Sequence, residues 1–306
     1  MARVVGTGLS ALDERRDLPE HLDELAALGC ETVELPLYAM DIVVGGRVRE
    51  AALEPVRAAC AGRPFRYTVH GPLAINFFDE AFRLPRHFDV LRASMEVSAE
   101  LGAIHYVIHA GMMPVKQVPA IEDAYLRQRE WLARAGELAE ALGLHVCVEN
   151  LFRGHDGRIY TPTPSRLAAE LAAIDHPRVV ATLDFGHAHL QGAHTGADLI
   201  AEVATLAPYA KHLHIHDNFG LADDIWTYGT GEKLAFGHGD LHLPVGWGNL
   251  PWAALIDACA FPDDVVFNIE LESRYWYAAA DSVAATKALA RRVAGRIRGA
   301  AQGLAW

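Results

Sequence analysis

Residues 125–150 read YLRQREWLARAGELAEALGLHVCVEN, a stretch that passes from a helical pattern directly into a strand-like one. Apolar side chains recur at spacings of three and four in its first part, at Trp131, Ala135, Leu138 and Leu142. This periodicity predicts an amphipathic helix, and Gly143 is placed to end it. The apolar run that follows is a strand candidate, and it stops at a carboxylate, Glu149. The stretch therefore indicates an α/β protein in which a strand carries a charged group at its end.

Apolar runs of this kind recur along the chain, with helical patterns between them. The runs are RVVGTG (3–8), ETVELP (31–36), FRYTVH (65–70), IHYVIH (104–109), LHVCVEN (144–150), VVATLD (179–184), KHLHIH (211–216) and VVFNIE (265–270). Eight strands that each precede a helix are typical of a (β/α)8 TIM barrel, and we predict one such domain over residues 1–306. An open doubly wound sheet is the alternative. It would normally carry a glycine-rich phosphate turn after its first strand, and GTGLSALDERRD (6–17) matches that pattern poorly.

Composition narrows the class of protein. The 306 residues carry a formal net charge of −12 and no stretch concentrates lysine and arginine, so a nucleic-acid partner is not expected. No run of about 18 apolar residues and no signal-peptide pattern is present, which predicts a cytoplasmic protein without a membrane span. The four cysteines are scattered without a CxxC pair, which argues against a thiolate metal site. The oligomeric state stays open.

The ends of the runs hold the chain's most informative side chains. Six of the eight runs end on groups that can bind a metal or transfer a proton: His70, His109, Glu149, Asp184, His214 with His216, and Glu270. In a TIM barrel these positions meet at one mouth, where the chemistry of the fold takes place. Buried carboxylates and imidazoles are costly unless they are paired, so either an ion-pair network or a bound cation is expected. Carboxylates mixed with imidazoles favour a divalent cation, Zn²⁺ first and Mn²⁺ as the alternative.

Two further regions carry candidate ligands. His187 closely follows the sixth run, in VVATLDFGHAHLQG (179–192), and could bind a metal or contact the substrate. The segment from residue 217 to about residue 252 is too long for an ordinary connection, and structureless loops of that length are usually functional. It carries a D-x-H pair, Asp240 and His242, among glycines that predict a tightly folded lid.

Three more residues are candidates for contact with a substrate: Glu34, His216 and Trp247. Glu34 is expected to end the second strand, where a structural ion pair is the alternative to a role in the substrate pocket. His216 points to the same side of its run as His214, so it could also support the metal or replace His214 as a ligand. Trp247 could stack on a sugar ring or merely anchor the lid.

Seven of these motifs, in this order, resemble the xylose-isomerase-like TIM-barrel superfamily. That superfamily includes sugar-phosphate isomerases and epimerases and the endonuclease IV group of apurinic endonucleases. The motifs are VHGPLAIN (69–76), VIHAG (107–111), VCVENL (146–151), LDFGHA (183–188), HIHDN (214–218), GDLHLPVGWG (239–248) and NIELE (268–272). The resemblance covers nearly the whole chain, and it depends on the order of the motifs and their position at strand ends.

The resemblance implies two alternative metal sites. Isomerases and epimerases of the superfamily hold one cation with a set of ligands that falls here on Glu149, Asp184, His214 and Glu270. Endonuclease IV-like enzymes hold three zinc ions. In that case one further ion would be bound by His70 and His109 with Glu149 as a bridge, and the third by His187, Asp240 and His242. The family spacing His-x-x-Asp favours His214 over His216 as the ligand of the seventh strand.

Two activities follow from these sites. The filled three-metal set favours hydrolysis of a phosphoester in a small sugar-phosphate-like substrate, by cations that activate water. The alternative is a sugar or sugar-phosphate isomerase or epimerase, in which Glu149 and Glu270 transfer a proton as base and acid beside His187. Neither the endonuclease motifs nor the ketose epimerase motifs are complete in this chain. Leu73 stands where the endonucleases insert an aromatic side chain into DNA, and His155 stands near the position of a further glutamate in ketose epimerases.

Overall fold

The structure, a computed structural model, describes residues 2–11, 17–153 and 158–302. Eight strands form its central sheet within these ranges: β1 Val4–Ser10, β2 Thr32–Pro36, β3 Arg66–His70, β4 Ala103–His109, β5 His145–Glu149, β6 Val179–Asp184, β7 Ala210–Ile215 and β8 Val265–Ile269. Neighbours in the chain are neighbours in the sheet, all pairs are parallel, and β8 pairs with β1 to close the barrel. The predicted (β/α)8 fold is therefore confirmed, with each strand within two residues of its apolar run. His155 lies outside the described residues.

Helices follow the strands on the outside of the barrel. Their bounds are α1 Leu18–Ala27, α2 Glu50–Cys60, α3 Leu84–Glu100, α4 Ile121–Leu142, α5 Pro164–Ile174, α6 Phe185–Thr195, α7 Leu199–Leu206, α8 Thr230–Phe236, α9 Trp252–Ala258 and α10 Ala279–Gln302. Helix α4 is the one predicted from the periodicity of the opening stretch. Gly143 ends it with φ 75°, a left-handed conformation that glycine adopts without a steric penalty.

Neighbouring strands of the barrel are closely packed, and the strands themselves are well buried. All residues of β2, β6 and β8 are buried, as expected for parallel strands that are covered on both faces. A side chain at Gly8 in β1 would place its Cβ 1.9 Å from the Thr32 carbonyl oxygen in β2. Glycine is therefore required where these two strands approach each other.

The long segment between β7 and α9 is folded, and it contains the short helix α8, so it is not a structureless loop. The Asp217 carboxylate anchors it by accepting hydrogen bonds from the Gly246 amide at 2.9 Å, the Leu250 amide at 3.3 Å and the Trp252 indole at 3.0 Å. These bonds hold the end of the segment against the barrel, so the D-x-H pair it carries has a defined place.

The helices give no sign of a membrane segment. Across the described ranges, none combines the length and the apolar character that crossing a bilayer requires.

Candidate metal centre

The carboxyl ends of six strands bring the predicted ligands to one mouth of the barrel. Strands β3 to β6 end on His70, His109, Glu149 and Asp184. His214 is the penultimate residue of β7, and Glu270 follows β8 directly. The strand register places His109 beside Glu149 and Asp184 beside His214. Because the strands are parallel and in sequence, side chains that are up to 200 residues apart in the chain meet within a few ångströms.

The innermost group of ligands surrounds the Nδ1 atom of His214. This nitrogen lies 3.3 Å from Glu149 Oε1, 3.6 Å from Asp184 Oδ2 and 3.4 Å from Glu270 Oε2. Two atoms that bind one cation at about 2.1 Å in tetrahedral geometry are roughly 3.4 Å apart. His214 and Asp184 are fully buried and Glu149 is nearly so. Glu149, Asp184 and His214 therefore form a group whose ligand atoms could hold one divalent cation, and Glu270 lies beside it, grouped with Asp184 and His216.

Two adjoining groups flank this one. On the side of β3 and β4, Glu149 Oε2 lies 3.2 Å from His70 Nε2 and 3.7 Å from His109 Nε2. On the side of the long loop, Asp240 Oδ2 lies 3.2 Å from His187 Nε2 and 2.9 Å from His242 Nε2. The residues of the sequence-predicted three-metal set thus come together as three neighbouring clusters, each of which could hold an ion.

The cluster at the long loop includes one residue beyond the predicted set. The ring of His216 stacks on that of His242, with centroids 4.1 Å apart. His216 Nδ1 and Asp240 Oδ1 are 3.8 Å apart, both atoms are buried, and neither finds a hydrogen-bond partner among the described residues. Buried polar atoms without partners are rare, and a cation between these two would satisfy both.

Burial and charge move the pKa values of the three central carboxyls in different directions. Burial raises the pKa of Glu270 above its ordinary value, although the neighbouring His214 and His242 oppose this shift. Burial acts the same way on Glu149, but the charge of His214 and hydrogen bonds from His187, His214 and His70 outweigh it, so that its pKa is well below the ordinary value. The pKa of Asp184 is lowered as well, because the positive charges of His187 and His216 outweigh its burial.

The imidazoles respond to the same charges. Burial lowers the pKa of His109 to about 4, so this ring is neutral near pH 7 and ready to act as a ligand. Burial would also lower the pKa of His187, but the charges of Asp184 and Asp240 raise it well above the usual value. The pKa of His214 is likewise raised well above the usual value, because the charges of Glu270, Glu149 and Glu34 outweigh burial. Without a cation, the mouth therefore balances its carboxylates with imidazolium groups.

Glu34 lies below the centre rather than in the substrate pocket. Strand β2 continues two residues past it to Pro36, so the carboxylate lies one layer deeper in the barrel than the ligands. Glu34 Oε2 is 3.3 Å from His214 Nε2 and 3.0 Å from His212 Nε2. Its other oxygen accepts hydrogen bonds from Ser10 at 3.0 Å and Asn268 at 3.1 Å. This carboxylate orients the ring of His214, a common arrangement for metal-binding histidines.

A cavity of about 420 Å³ opens above the clusters. His70, His109, Glu149, His187, Asp240, His242 and Glu270 reach it from the metal side. Its other side is formed by side chains that sequence reasoning mostly missed: Tyr38, Leu73, Met112, Leu151, Phe152 and Ile159. The signal available was their position in the loops that directly follow β2 to β5.

The other two candidates for substrate contact are not among the described residues that line this cavity. His216 is fully buried beneath His242, with its Nε2 3.1 Å from Asp184 Oδ2. Trp247 is 47% exposed and packs edge-on against Tyr275, with ring centroids 5.8 Å apart. In this structure Trp247 therefore packs against an aromatic neighbour outside the cavity.

Together, the closed barrel and the buried histidines and carboxylates at its mouth define a TIM-barrel protein with side-chain clusters that could hold metal ions at the carboxyl ends of its strands. The chain belongs to the xylose isomerase-like TIM barrel family, whose model matches residues 22–297. The resemblance seen in the sequence is thereby confirmed.

The individual relatives compared below have low sequence identity to this chain, from 15% to 25%. An uncharacterized protein of Methanocaldococcus jannaschii is 25% identical over 171 residues, which are 55% of this chain and half the length of that relative. A D-tagatose 3-epimerase-like protein superposes with a TM-score of 0.71 at 19% identity, over 95% of this chain and 99% of its own. The 3-keto-D-glucoside 4-epimerase of E. coli gives 0.65 at 15% identity, over 94% and 100%. An IolI protein with a bound zinc atom gives 0.67 at 15%, over 94% and 97%.

Proposed function

We propose that this protein is a divalent-metal-dependent sugar epimerase or isomerase. The observation that carries the proposal is the placement of two glutamates at one imidazole: Glu149 Oε1 and Glu270 Oε2 lie 3.3 Å and 3.4 Å from His214 Nδ1, and both side chains line the cavity. Glu149, with its lowered pKa, is the ionised partner, and Glu270, with its raised pKa, is the partner that more readily holds a proton. Two carboxyls at one site with separated pKa values are suited to act as base and acid.

The proton transfer uses the residues that line the cavity. The Glu149 carboxylate takes a proton from the carbon next to the substrate carbonyl, and Glu270 returns a proton to that carbon or to its neighbour. His187 lines the cavity, and its Nδ1 atom lies 3.1 Å from Glu149 Oε1, so this imidazole contacts the proposed base directly. A cation bound by the four central ligands would polarise the carbonyl and stabilise the negative charge that develops there.

Of the two activities that the sequence left open, the similar structures favour this one. The relatives named above include a 3-epimerase-like protein and a 4-epimerase, whereas the hydrolase hypothesis gains no specific support from them. Hydrolysis of a small phosphoester remains the second candidate because two further clusters that could hold cations adjoin the central one. Zinc is the first candidate for the cation and manganese the second, and the substrate would be a small sugar.

Cation content and isotope exchange test the proposal together. The purified protein is loaded separately with Zn²⁺ and Mn²⁺, its cation content is measured, and ketoses are incubated with it in D₂O. We expect deuterium to enter a ketose in the presence of one cation per chain. Three tightly bound zinc ions together with phosphoesterase activity and no deuterium uptake would instead establish the hydrolase.

A further inference from the structure

The cavity above the metal centre has two chemically different sides. One side carries the carboxylates and imidazoles of the clusters. The other, which we call the apolar wall, consists of Tyr38, Leu73, Met112, Leu151, Phe152 and Ile159. Every residue of the apolar wall comes from a loop that follows one of the strands β2 to β5. A substrate that reaches the central ligands with one end would therefore place its other end against side chains that are hydrocarbon or thioether, apart from the hydroxyl of Tyr38.

The apolar wall is held in place by contacts of its own. Residues Met113–Pro114 and Ile159–Tyr160 form a short antiparallel ladder that joins the loop after β4 to the loop after β5. The Asn76 side-chain amide donates a hydrogen bond to the Met112 carbonyl at 2.8 Å. The Phe152 ring packs on His187 with centroids 5.1 Å apart. These contacts are all between protein atoms, so the apolar character of the wall is a property of the site itself.

The cationic side chains that line the cavity among the described residues are imidazoles of the clusters, such as His187 and His242, whose pKa values are raised. No lysine or arginine of the described ranges lines it, while Glu149, Asp240 and Glu270 all do. Phosphate groups in proteins are normally bound by arginine, lysine or clustered backbone amides. A phosphate at the far end of the substrate would lose its hydration against the apolar wall and find no cationic side chain in that wall to replace it.

Leu73 shows that the wall is left partly uncovered. Its side chain is 42% exposed although it borders the cavity. Covering such a side chain with an apolar group stabilises a complex, because both apolar surfaces leave water. A hydroxyl in the same place would lose its hydrogen bonds to water and gain none from hydrocarbon.

On these grounds we propose that the substrate is an unphosphorylated keto sugar or keto polyol whose end remote from the carbonyl is apolar, such as the methyl group of a deoxy sugar. This inference rests on the proposed epimerase or isomerase activity and specifies its substrate class. It assigns this chain an unphosphorylated sugar as its substrate, where the family resemblance also allowed a sugar phosphate.

Three ligands that differ only at carbon 6 test the inference: a ketohexose, its 6-deoxy analogue and its 6-phosphate. Each is offered in the fructose, tagatose and psicose configurations to the Mn²⁺-loaded protein, and dissociation constants are measured by calorimetry. We expect the deoxy sugar to bind about tenfold more tightly than the parent, because an unpaired buried hydroxyl is lost. The phosphate should bind at least about a hundredfold more weakly than the deoxy sugar. Binding of the phosphate as tight as that of the parent sugar would overturn the inference.

Deuterium uptake from D₂O, followed for the same ligands, separates this inference from the proposed function. If the deoxy sugar binds best but no ketose takes up deuterium, the activity is refuted while the apolar wall still selects the ligand. If deuterium enters and the phosphate is the best substrate, the activity stands and the inference fails.

A charge placed on the wall gives a second test that does not endanger folding. Leu73→Lys changes a side chain that is already exposed, and Leu126→Lys, at a 59% exposed position on α4, adds the same charge away from the cavity. We expect Leu73→Lys to shift the ratio of phosphate to deoxy-sugar affinity at least about tenfold toward the phosphate, and Leu126→Lys to leave it unchanged. An equal effect of both variants, or none from Leu73→Lys, would count against the role of the wall.

Discussion

Glu34 Oε2 lies 3.3 Å from the Nε2 atom of His214, and the Nδ1 atom of the same ring faces Glu149, Asp184 and Glu270. One imidazole thus joins a buried carboxylate to the candidate metal centre. An imidazole nitrogen that holds its proton for a carboxylate leaves the other nitrogen free to bind a cation. In the proposed metal centre, Glu34 would therefore act through His214, since it is not among the described residues that line the cavity.

The first prediction follows from this contact. Glu34→Gln keeps the shape of the side chain but removes its charge, so we expect cation affinity to fall about 10- to 100-fold. Calorimetric titration of the metal-free protein with Zn²⁺ or Mn²⁺ measures the change. Glu137→Gln, at an exposed position of α4, is the matched control and should bind the cation as the wild type does. An unchanged affinity in a folded Glu34→Gln protein would show that Glu34 only packs the core.

The second prediction concerns the two glutamates of the proton transfer. Glu149→Gln and Glu270→Gln should each lower turnover by about a hundredfold or more, the usual contribution of a general acid or base. In an epimerase that uses one glutamate on each face of the substrate, each variant should still exchange deuterium into the one epimer served by the remaining glutamate. Mass spectrometry of both epimers after incubation in D₂O reads this out. Because both residues are also proposed ligands, cation content is measured in parallel, and loss of the cation alone would leave no exchange in either epimer.

The third prediction separates the two candidate activities. Asp240 contacts His187 at 3.2 Å and His242 at 2.9 Å, but it is not one of the four residues around His214 Nδ1. In a one-cation epimerase, Asp240→Asn should keep one cation per chain and lose less than about tenfold in turnover. In a three-zinc hydrolase it should lose at least one zinc and nearly all activity. Asp123→Asn on the exposed side of α4 controls for the charge change.

Much of this site could be predicted because parallel strands keep their order. A polar residue at the end of an apolar run has one possible place in a closed barrel, the carboxyl mouth, so His70, His109, Glu149 and Asp184 could be placed together from the sequence. The D-x-H pair could be identified by its motif, and it reaches the site because Asp217 anchors the loop.

The other features of the site depend on how deep a side chain lies in the barrel and on contacts between different loops. The layer occupied by Glu34 depends on where β2 ends, and a difference of two residues moves it from the mouth to the interior. The direction of Trp247 depends on Tyr275, which lies in a different loop. The apolar wall is assembled from four loops, and in the sequence each of its residues is an ordinary loop hydrophobe.

The last prediction concerns the opposite end of the barrel. His145, the first residue of β5, has its pKa lowered to about 4, chiefly by burial and further by the positive charges of Lys211 and Arg178. In the unfolded chain its pKa would be near the ordinary value of about 6.5. The unfolded state therefore binds more protons between these two values, and this contribution to stability is lost as pH falls from about 6.5 toward about 4.

Replacing this ring should therefore flatten the acid side of the stability curve. We expect His145→Gln to lose about 1 kcal/mol less of its free energy of unfolding than the wild type between pH 6.5 and pH 4.5, after allowance for the partial exposure of the ring. Urea unfolding of the metal-free proteins, followed by circular dichroism at several pH values, measures the difference. His105 lies beside His145 with ring centroids 5.7 Å apart, and its pKa is also lowered by burial, so some acid sensitivity should remain in the variant. Parallel curves for the two proteins would mean that the His145 ring takes up its proton without unfolding the barrel.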